Sequence, residues 1–189
     1  KSFTSGRLEI ADGNTWNFPA LTDGTDTEIE IRRGVGHFPV LTTLQYGSLR
    51  LTGRGSVSLP GLQNINGSSL YAGPASTISL PQVTQYAHAS NGNYQHRTLR
   101  AEGVGSLIDL SGVTRIPGGT HYNSRLFIEA VNGGNVKLSG TTTIGDPTTG
   151  VVQYRSIDVS AIGTGSLVEL DALVSYSDEY AFDLGDGLY

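Results

Sequence analysis

The sequence predicts an all-β fold made of stacked repeats, and three observations lead to this prediction. One pattern, a short alternating strand, a Gly-rich break, I-x-L, a small-residue turn and V-x-x-I, runs through Leu99–Ile116 and recurs along the chain. Apolar and polar residues alternate in stretches such as SLRL and STISL, which is the periodicity of β-strands. No segment carries the long 3.6-residue apolar period of an amphipathic helix, so we expect little or no helix.

Copies of this pattern divide the chain into about seven units, called repeats 1 to 7 below. They are Leu8–Leu21, Ile29–Leu44, Leu49–Ile65, Leu70–Tyr86, Leu99–Ile116, Ile128–Ile144 and Val159–Tyr176. The early repeats step by 20–21 residues, and the later ones lengthen only after the V-x-x-I segment. Such a period is typical of a solenoid, in which each strand pairs with its copy one turn away at about 4.8 Å. We therefore predict a single right-handed parallel β-helix, or β-solenoid.

One column of apolar side chains is expected to line the interior of this stack. Its members are Phe18, Phe38, Leu59, Leu80, Leu110, Leu138 and Leu170. No single repeat can bury its apolar side alone, so we expect the whole stack to be the folding unit.

The residues S-L-P-x-L-x-x-I-x-G-S at Ser58–Ser68 carry a family resemblance. The chain resembles the β-solenoid repeats of bacterial extracellular proteins over nearly all of its 189 residues. It is also similar to the L-domain repeat of receptor ectodomains and fungal wall proteins, which shares the L-x-x-I turn. Proteins of these kinds serve as carbohydrate-binding modules, adhesins, lyases and receptor parts. The resemblance therefore implies an architecture and leaves the function to be argued from the site.

Composition favours one domain, residues 1–189, of a secreted or cell-surface bacterial protein. The chain has 26 glycines, which fits many tight turns, and it has no cysteine or methionine. A net charge of −5 argues against nucleic acid as a partner. No apolar run approaches the roughly 18 residues of a membrane span, and we find no signal peptide. We expect a monomeric module within a longer, multidomain chain.

The two ends are predicted to cap the stack. Residues 1–27 form the least regular repeat, with Trp16 as a capping residue or, alternatively, a sugar-stacking platform. Residues 177–189 concentrate acidic side chains, namely Asp178, Glu179, Asp183 and Asp186. Asp12-Gly13-Asn14 and Asp23-Gly24-Thr25-Asp26 favour turns over calcium loops, because the twelve-residue ligand frame is missing. No metal site is predicted, and calcium at these acidic segments stays the alternative.

One outward-facing residue of each first strand should form a row across the repeats. In chain order these are Glu9, Glu30, Arg50, Tyr71, Arg100, Glu129 and Ser160. Glu30 should lie beside Arg50, and Arg100 beside Glu129, as a solvated ladder of ion pairs. The functional alternative is a strip formed by Arg50, Tyr71 and Arg100 that binds an anionic polymer.

The loops that follow V-x-x-I lengthen from repeat 4 onward, and loops of this length are often functional. Each of the segments Ala87–Arg97, Pro117–Arg125 and Gly145–Arg155 ends in a Tyr followed within three residues by an Arg. The pairs are Tyr94 and Arg97, Tyr122 and Arg125, and Tyr154 and Arg155, with His121 on the middle loop. Tyr rings stack on sugars and Arg donates to carboxylates or hydroxyls, so these seven residues are the candidate carbohydrate site. Alternatively, the tyrosines only cover an open corner of the core.

The pattern of polar residues favours a binding module over an enzyme. We find no Gly-x-Ser-x-Gly elbow, no phosphate loop and no paired carboxylates beside the long loops. The histidines lack metal-ligand spacing, so His88, His96 and His121 are expected to be surface or hydrogen-bonding residues. We predict a non-catalytic polysaccharide-binding module without a cofactor, whose polymer is neutral or anionic. A structural or adhesin β-solenoid and a β-helix lyase or glycosidase fragment are the alternatives.

Overall fold

The computed structural model describes residues 1–178, and every element of regular structure in that range is a β-strand. The strands are β1 (Arg7–Ala11), β2 (Thr15–Asn17), β3 (Glu28–Arg32), β4 (Val35–His37), β5 (Ser48–Thr52), β6 (Ser56–Ser58), β7 (Ser69–Ala72), β8 (Thr77–Ser79), β9 (His96–Glu102), β10 (Leu107–Asp109), β11 (Arg115–Pro117), β12 (Arg125–Val131), β13 (Asn135–Lys137), β14 (Thr143–Gly145), β15 (Ser156–Ile162), β16 (Leu167–Glu169) and β17 (Ser175–Ser177). The prediction of an all-β chain with little or no helix is confirmed for this range.

Four sheets collect equivalent strands of successive repeats, and all their pairings are parallel. The long sheet has seven strands in the order β1-β3-β5-β7-β9-β12-β15, one from each repeat. The second strands form two sheets, β2-β4-β6 and β8-β10-β13-β16. The third segments meet through single bridges in the early repeats and then form the sheet β11-β14-β17. Like strands of neighbouring repeats therefore pair, as the period of the sequence predicts.

The register of the long sheet confirms the predicted outward row. Glu9 pairs with Glu30, Glu30 with Arg50 and Arg50 with Tyr71. The row continues through Arg100 and Glu129 to Ser160. Because side chains alternate between the two faces of a strand, the flanking residues Leu49 and Leu51 point into the core and are fully buried.

The interior is one apolar cluster that extends through the repeats. In the predicted column, Phe38, Leu59, Leu80, Leu110 and Leu138 are buried, while Phe18 and Leu170 near the two ends are partly buried. The rings of Phe18 and Phe38 stack with centroids 4.7 Å apart. Burial of the whole apolar cluster, of which this column is one part, is the main stabilising contribution expected for a chain with no disulfide.

Both ends of the described range expose apolar side chains. Phe3 and Trp16 are exposed in the first repeat, and Trp16 contacts the Phe18 ring at 5.9 Å. In the last repeat, Val174 is 86% exposed. The acidic residues Glu179, Asp183 and Asp186 of the predicted C-terminal cap lie outside the described residues. Residues 1–178 contain no helix with the length and apolarity needed to cross a membrane.

Candidate functional site

Three tyrosines from the three long loops form a continuous row, called the tyrosine row below. Tyr94, Tyr122 and Tyr154 lie just before β9, β12 and β15 of the long sheet. The Tyr94 amide donates to the Tyr122 carbonyl at 2.9 Å, which holds two of the loops side by side. The Tyr122 ring meets Tyr94 at 5.2 Å and 74°, and Tyr154 at 5.4 Å and 81°. The sequence correctly predicted that these loops lie next to one another.

The backbone at two of these tyrosines is left-handed. Tyr94 has φ 59° and Tyr154 has φ 57°, two residues before β9 and β15. Gly67 occupies the same place before β7 with φ 70°, which is the residue type that this conformation favours. A residue other than glycine in this conformation costs about 1–2 kcal/mol. An aromatic ring is therefore present at this place against the preference of the backbone.

The three arginines that follow the tyrosines do not lie together, which corrects the expected wall of Tyr and Arg pairs. Arg97 is in register with Leu126 and Ile157, both fully buried, so it belongs to the inner face of the sheet. Arg125 is on the outer face, where it bonds Ser156 Oγ at 2.9 Å and Asp158 Oδ2 at 3.1 Å. A Tyr–Arg spacing of three therefore places Arg97 and Arg125 on opposite faces, because Tyr122 precedes its strand by one residue more than Tyr94 does.

Arg155 is fully buried and does not contribute to the outer surface. Its Nη1 donates to the carbonyls of Gly119 and Thr149 at 3.2 and 2.8 Å, and its Nη2 donates to Pro147 at 2.8 Å. These bonds tie the last long loop to itself and to the preceding one. The sequence placed Arg155 in the carbohydrate site, whereas its donors are used inside the fold.

Two histidines take different places beneath and beside the tyrosine row. His121 Nδ1 lies 3.2 Å from Ser90 Oγ and 3.3 Å from Thr120 Oγ1, a contact between neighbouring loops. His88 is fully buried, and its Nε2 donates to the Gln95 carbonyl at 2.9 Å. Burial lowers the pKa of His88 to about 4, so its ring is neutral near pH 7. The sequence predicted hydrogen bonding by these histidines but not the burial of His88.

The secondary candidates Arg50, Tyr71 and Arg100 lie side by side on the long sheet. The Arg50 guanidinium carbon is 4.0 Å from the Tyr71 ring centroid, a cation–π contact. Arg100 bonds Glu102 at 3.0 Å and Glu129 at 2.9 Å, and these hydrogen bonds raise the pKa of the Arg100 guanidinium. The predicted Arg100–Glu129 pair is confirmed.

The predicted ion pair between Glu30 and Arg50 does not form, although the two residues are in register. Glu30 is 9% exposed, and its carboxylate bonds Arg7 and lies 3.7 Å from the Arg32 Nε. The carboxylate of Glu30 therefore interacts with Arg7 and Arg32 instead of Arg50. The Arg50 guanidinium lies over the Tyr71 ring.

Aspartates at the C-terminal side of the long loops form a group that the sequence did not indicate. Burial raises the pKa of Asp178, the charge of Asp158 adds to this shift, and a hydrogen bond with Asp146 opposes it. Asp146 and Asp178 directly follow Gly145 and Ser177, which pair in the sheet β11-β14-β17. The sequence assigned Asp178 to a charged cap, with calcium binding as the alternative. Its proximity to Asp146 follows from the pairing of two three-residue strands, which are too short for the sequence to specify.

The acidic segments of the first repeats serve as turns. Asp23 Oδ1 accepts bonds from Thr25 Oγ1 at 2.7 Å and from the Thr25 amide at 2.9 Å, and both bonds lower the pKa of Asp23. Asp12 pairs with Arg33 at 3.0 Å. Within residues 1–178, no three acidic or histidine side chains are grouped as metal ligands.

The chemistry that this surface offers is recognition by aromatic faces, hydroxyl groups and a few charged donors. Tyr94 is 67% exposed and presents both a flat ring and a phenol to solvent. No protein-family model, curated protein or solved structure matches this chain. The function is therefore inferred from the geometry of the side chains alone.

Proposed function

We propose that this chain is a non-catalytic polysaccharide-binding module whose polymer lies along the tyrosine row. The observation that carries the proposal is the unbroken contact of the Tyr94, Tyr122 and Tyr154 rings across three neighbouring loops. Strands in a sheet repeat at about 4.8 Å, a distance close to the length of one sugar ring in an extended chain. A periodic protein surface then matches a periodic ligand, and several modest contacts on one polymer reinforce one another.

The architecture that we propose for this module is a single right-handed parallel β-solenoid. Each repeat contributes one strand to the long sheet, and the second strands and third segments pair with their counterparts in the neighbouring repeats. One apolar cluster connects residues from Ile10 to Ile157. In a solenoid the three loops would leave equivalent positions of successive turns. The spacing between the tyrosines would then equal the spacing between the turns.

Within the row, we assign the stacking role first to Tyr94. Tyr94 is 67% exposed, and its backbone is left-handed two residues before β9. Tyr122 is nearly perpendicular to it and supplies an edge and a hydroxyl rather than a parallel platform. Arg125 and His121 flank the row as polar contacts. Arg97 and Arg155 have no place at this surface, because they face the interior.

The direct test is affinity electrophoresis and calorimetry against a panel of soluble neutral and anionic polysaccharides. Tyr94→Ala and Tyr122→Ala should each weaken binding about threefold to tenfold, the value of one aromatic contact. Tyr46→Ala is a matched control, since Tyr46 has φ 59° two residues before β5 but lies outside the row. Each variant is first checked for an unchanged thermal transition. Equal affinity of all three variants and the parent for every polymer would contradict the proposal.

We further propose a secreted or cell-surface location within a longer chain. A binding module of this kind would hold an attached enzyme or cell surface against its polymer. Calcium is tested in the same panel by adding a chelator. Loss of affinity with chelator and its recovery with added calcium would assign a calcium requirement.

A polysaccharide hydrolase or lyase is the second candidate function, and one observation favours it. Burial raises the pKa of Asp178, which lies near Asp146 and Asp158, and a carboxyl group whose pKa is raised by burial is suited to general acid catalysis. Release of reducing ends or unsaturated sugars from a polymer, abolished by Asp178→Asn, would establish an enzyme. A binding module retains its polymer and releases neither product.

A further inference from the structure

We propose that a groove beside Arg50 binds a carboxylate of the polymer, which makes an acidic, uronate-containing polysaccharide the ligand. The groove, called the Arg50 groove below, is a cavity of about 390 Å³ on the outer face of the long sheet. Its lining includes Arg50, Thr52, Tyr71, Gly73, Arg100 and Glu102. The ligand class rests on the proposed function, whereas the groove itself is separate from the tyrosine row.

The groove exists because one repeat lacks an outward side chain. Ala72 pairs with Leu51 on one side and Ala101 on the other, so the next residue, Gly73, comes between Thr52 and Glu102. Its backbone approaches the neighbouring strand closely, since a Cβ there would lie 3.2 Å from the Leu51 carbonyl oxygen. The absence of a side chain at Gly73 leaves an opening between Thr52 and Glu102. The volume of this opening is in the range of small-ligand sites, roughly 300–1,000 Å³.

Arg50 is the group in this groove whose hydrogen-bonding capacity is unused. Among residues 1–178 it forms no ion pair and no hydrogen bond, and its contact is the Tyr71 ring at 4.0 Å. The other outer arginines of this sheet, such as Arg7, Arg32, Arg100 and Arg125, all have carboxylate partners. A guanidinium that lies on an aromatic ring keeps its N–H groups in its own plane, at the edge of the ring. These donors match the two oxygens of a carboxylate.

The three charged groups that line the groove, Arg50, Arg100 and Glu102, sum to one positive charge, and Arg50 is the one among them with no ion pair within residues 1–178. Arg100 and Glu102, both in the groove, bond each other at 3.0 Å, and Arg100 also bonds Glu129. The charged groups of Arg100 and Glu102 are therefore paired within the protein, and they form the wall of the groove opposite Arg50. The Thr52 hydroxyl on the near wall can bond a sugar hydroxyl. Arg50 therefore provides the unneutralised charge, and a sugar ring with one carboxylate is complementary to it.

The groove and the tyrosine row lie on consecutive parts of the same strands. Tyr94 comes before β9, and Arg100 is the fifth residue of that strand, six residues further on. At about 3.3 Å per residue the two are separated by at most roughly 20 Å, a span of a few sugar rings. Arg50 itself lies two strands beyond Arg100, in the order β5-β7-β9. A polymer on the tyrosine row runs across the strands, whereas the path from Tyr94 to the groove runs along them, so a single polymer would have to bend to contact both.

The test compares polygalacturonate with its fully methyl-esterified form, which has the same backbone without the charge. Arg50→Gln should weaken binding of the acid about tenfold to a hundredfold and leave the ester unchanged, since one charged hydrogen-bonded contact is lost. Arg54→Gln is the matched control, because Arg54 is exposed, lies on the following turn and removes the same charge. Arg50→Lys should cause an intermediate loss of affinity for the acid, because lysine keeps the positive charge but lacks the planar pair of N–H donors. Equal effects of Arg50→Gln and Arg54→Gln, or equal binding of acid and ester by the parent, would overturn the groove.

The tyrosine row and the Arg50 groove are tested separately by these variants. Tyr94→Ala should weaken both the acid and the ester, whereas Arg50→Gln affects the acid alone. If the parent binds neither polymer, sodium galacturonate is titrated into labelled protein and the arginine side-chain N–H resonances are followed by NMR. A shift of the Arg50 resonance that Arg54 does not share supports the groove without the tyrosine row. No selective shift contradicts it.

Discussion

The buried guanidinium of Arg155 donates to the carbonyl oxygen of Gly119 at 3.2 Å, although 36 residues separate the two along the chain. The same side chain donates to Thr149 and Pro147 of its own loop. Arg155 therefore joins two of the loops that carry the tyrosine row. Within residues 1–178 Arg155 forms no ion pair, and its three hydrogen bonds all go to main-chain oxygens.

We predict that Arg155→Ala loosens the loop formed by residues 146–154 and lowers the free energy of unfolding by several kcal/mol. The change leaves three carbonyl oxygens without their donor, and each unsatisfied buried group costs about 1–3 kcal/mol. Chemical denaturation measures the stability, and hydrogen exchange measures the loop. Arg155→Lys should lose nearly as much stability, because one ammonium group cannot reach all three carbonyl oxygens that the guanidinium bonds. Arg54→Ala, at an exposed site, serves as the control and should change stability little.

Leu110→Ala should destabilise the fold by about 2–5 kcal/mol, since Leu110 is fully buried in the apolar column. Its neighbours in the column, Leu80 and Leu138, are held by strands on both sides and cannot close the cavity fully. Val104→Ala removes aliphatic carbon from a residue that is 80% exposed and should stay within about 0.5 kcal/mol of the parent. Equal urea midpoints for the two variants would refute the assignment of the core.

Stability should fall as the pH drops from about 6.5 to about 4, in part because of His88. Burial lowers the folded-state pKa of His88 to about 4 from an ordinary value of 6.5. The unfolded chain therefore binds a proton in this window while the folded chain does not. The free energy of unfolding therefore has its full His88 contribution above pH 6.5. As the pH falls from 6.5 to below 4, it loses roughly 3 kcal/mol of this contribution.

The control for this pH effect is His88→Gln, which keeps a donor for the Gln95 carbonyl and cannot titrate. The difference in unfolding free energy between parent and variant should shrink as the pH is lowered through the window. Carboxylates that titrate near pH 4 contribute equally to both proteins and cancel. A constant difference from pH 7 to pH 4 would show that His88 is not a buried neutral group.

Tyr94→Gly should separate a binding role of the tyrosine row from a purely structural one. Glycine relieves a left-handed backbone penalty of about 1–2 kcal/mol but removes a ring contact with Tyr122 of about 0.5–1.5 kcal/mol. We therefore expect nearly unchanged thermal stability together with weakened polysaccharide binding. A large loss of stability would instead show that Tyr94 covers the core, which is the alternative that the sequence left open.

The sequence by itself determined the first strand of each repeat, the partners of that strand and the apolar residues that face inward. A two-residue alternation repeated at a nearly constant period specifies both the face and the register, as the row from Glu9 to Ser160 shows. It also brought Tyr94, Tyr122 and Tyr154 to neighbouring loops, because insertions at equivalent points of paired repeats must lie side by side.

Only the tertiary structure decided what the charged side chains do. Tyr122 lies one residue further from its strand than Tyr94 does, so Arg97 faces inward and Arg125 faces outward. The loop lengths that cause this difference follow no repeat in the sequence. Burial of His88 and Arg155 depends on how separate loops pack over them. Arg50 lies over Tyr71 because Glu30 is occupied by two closer arginines, a competition between distances that exist only in the folded chain.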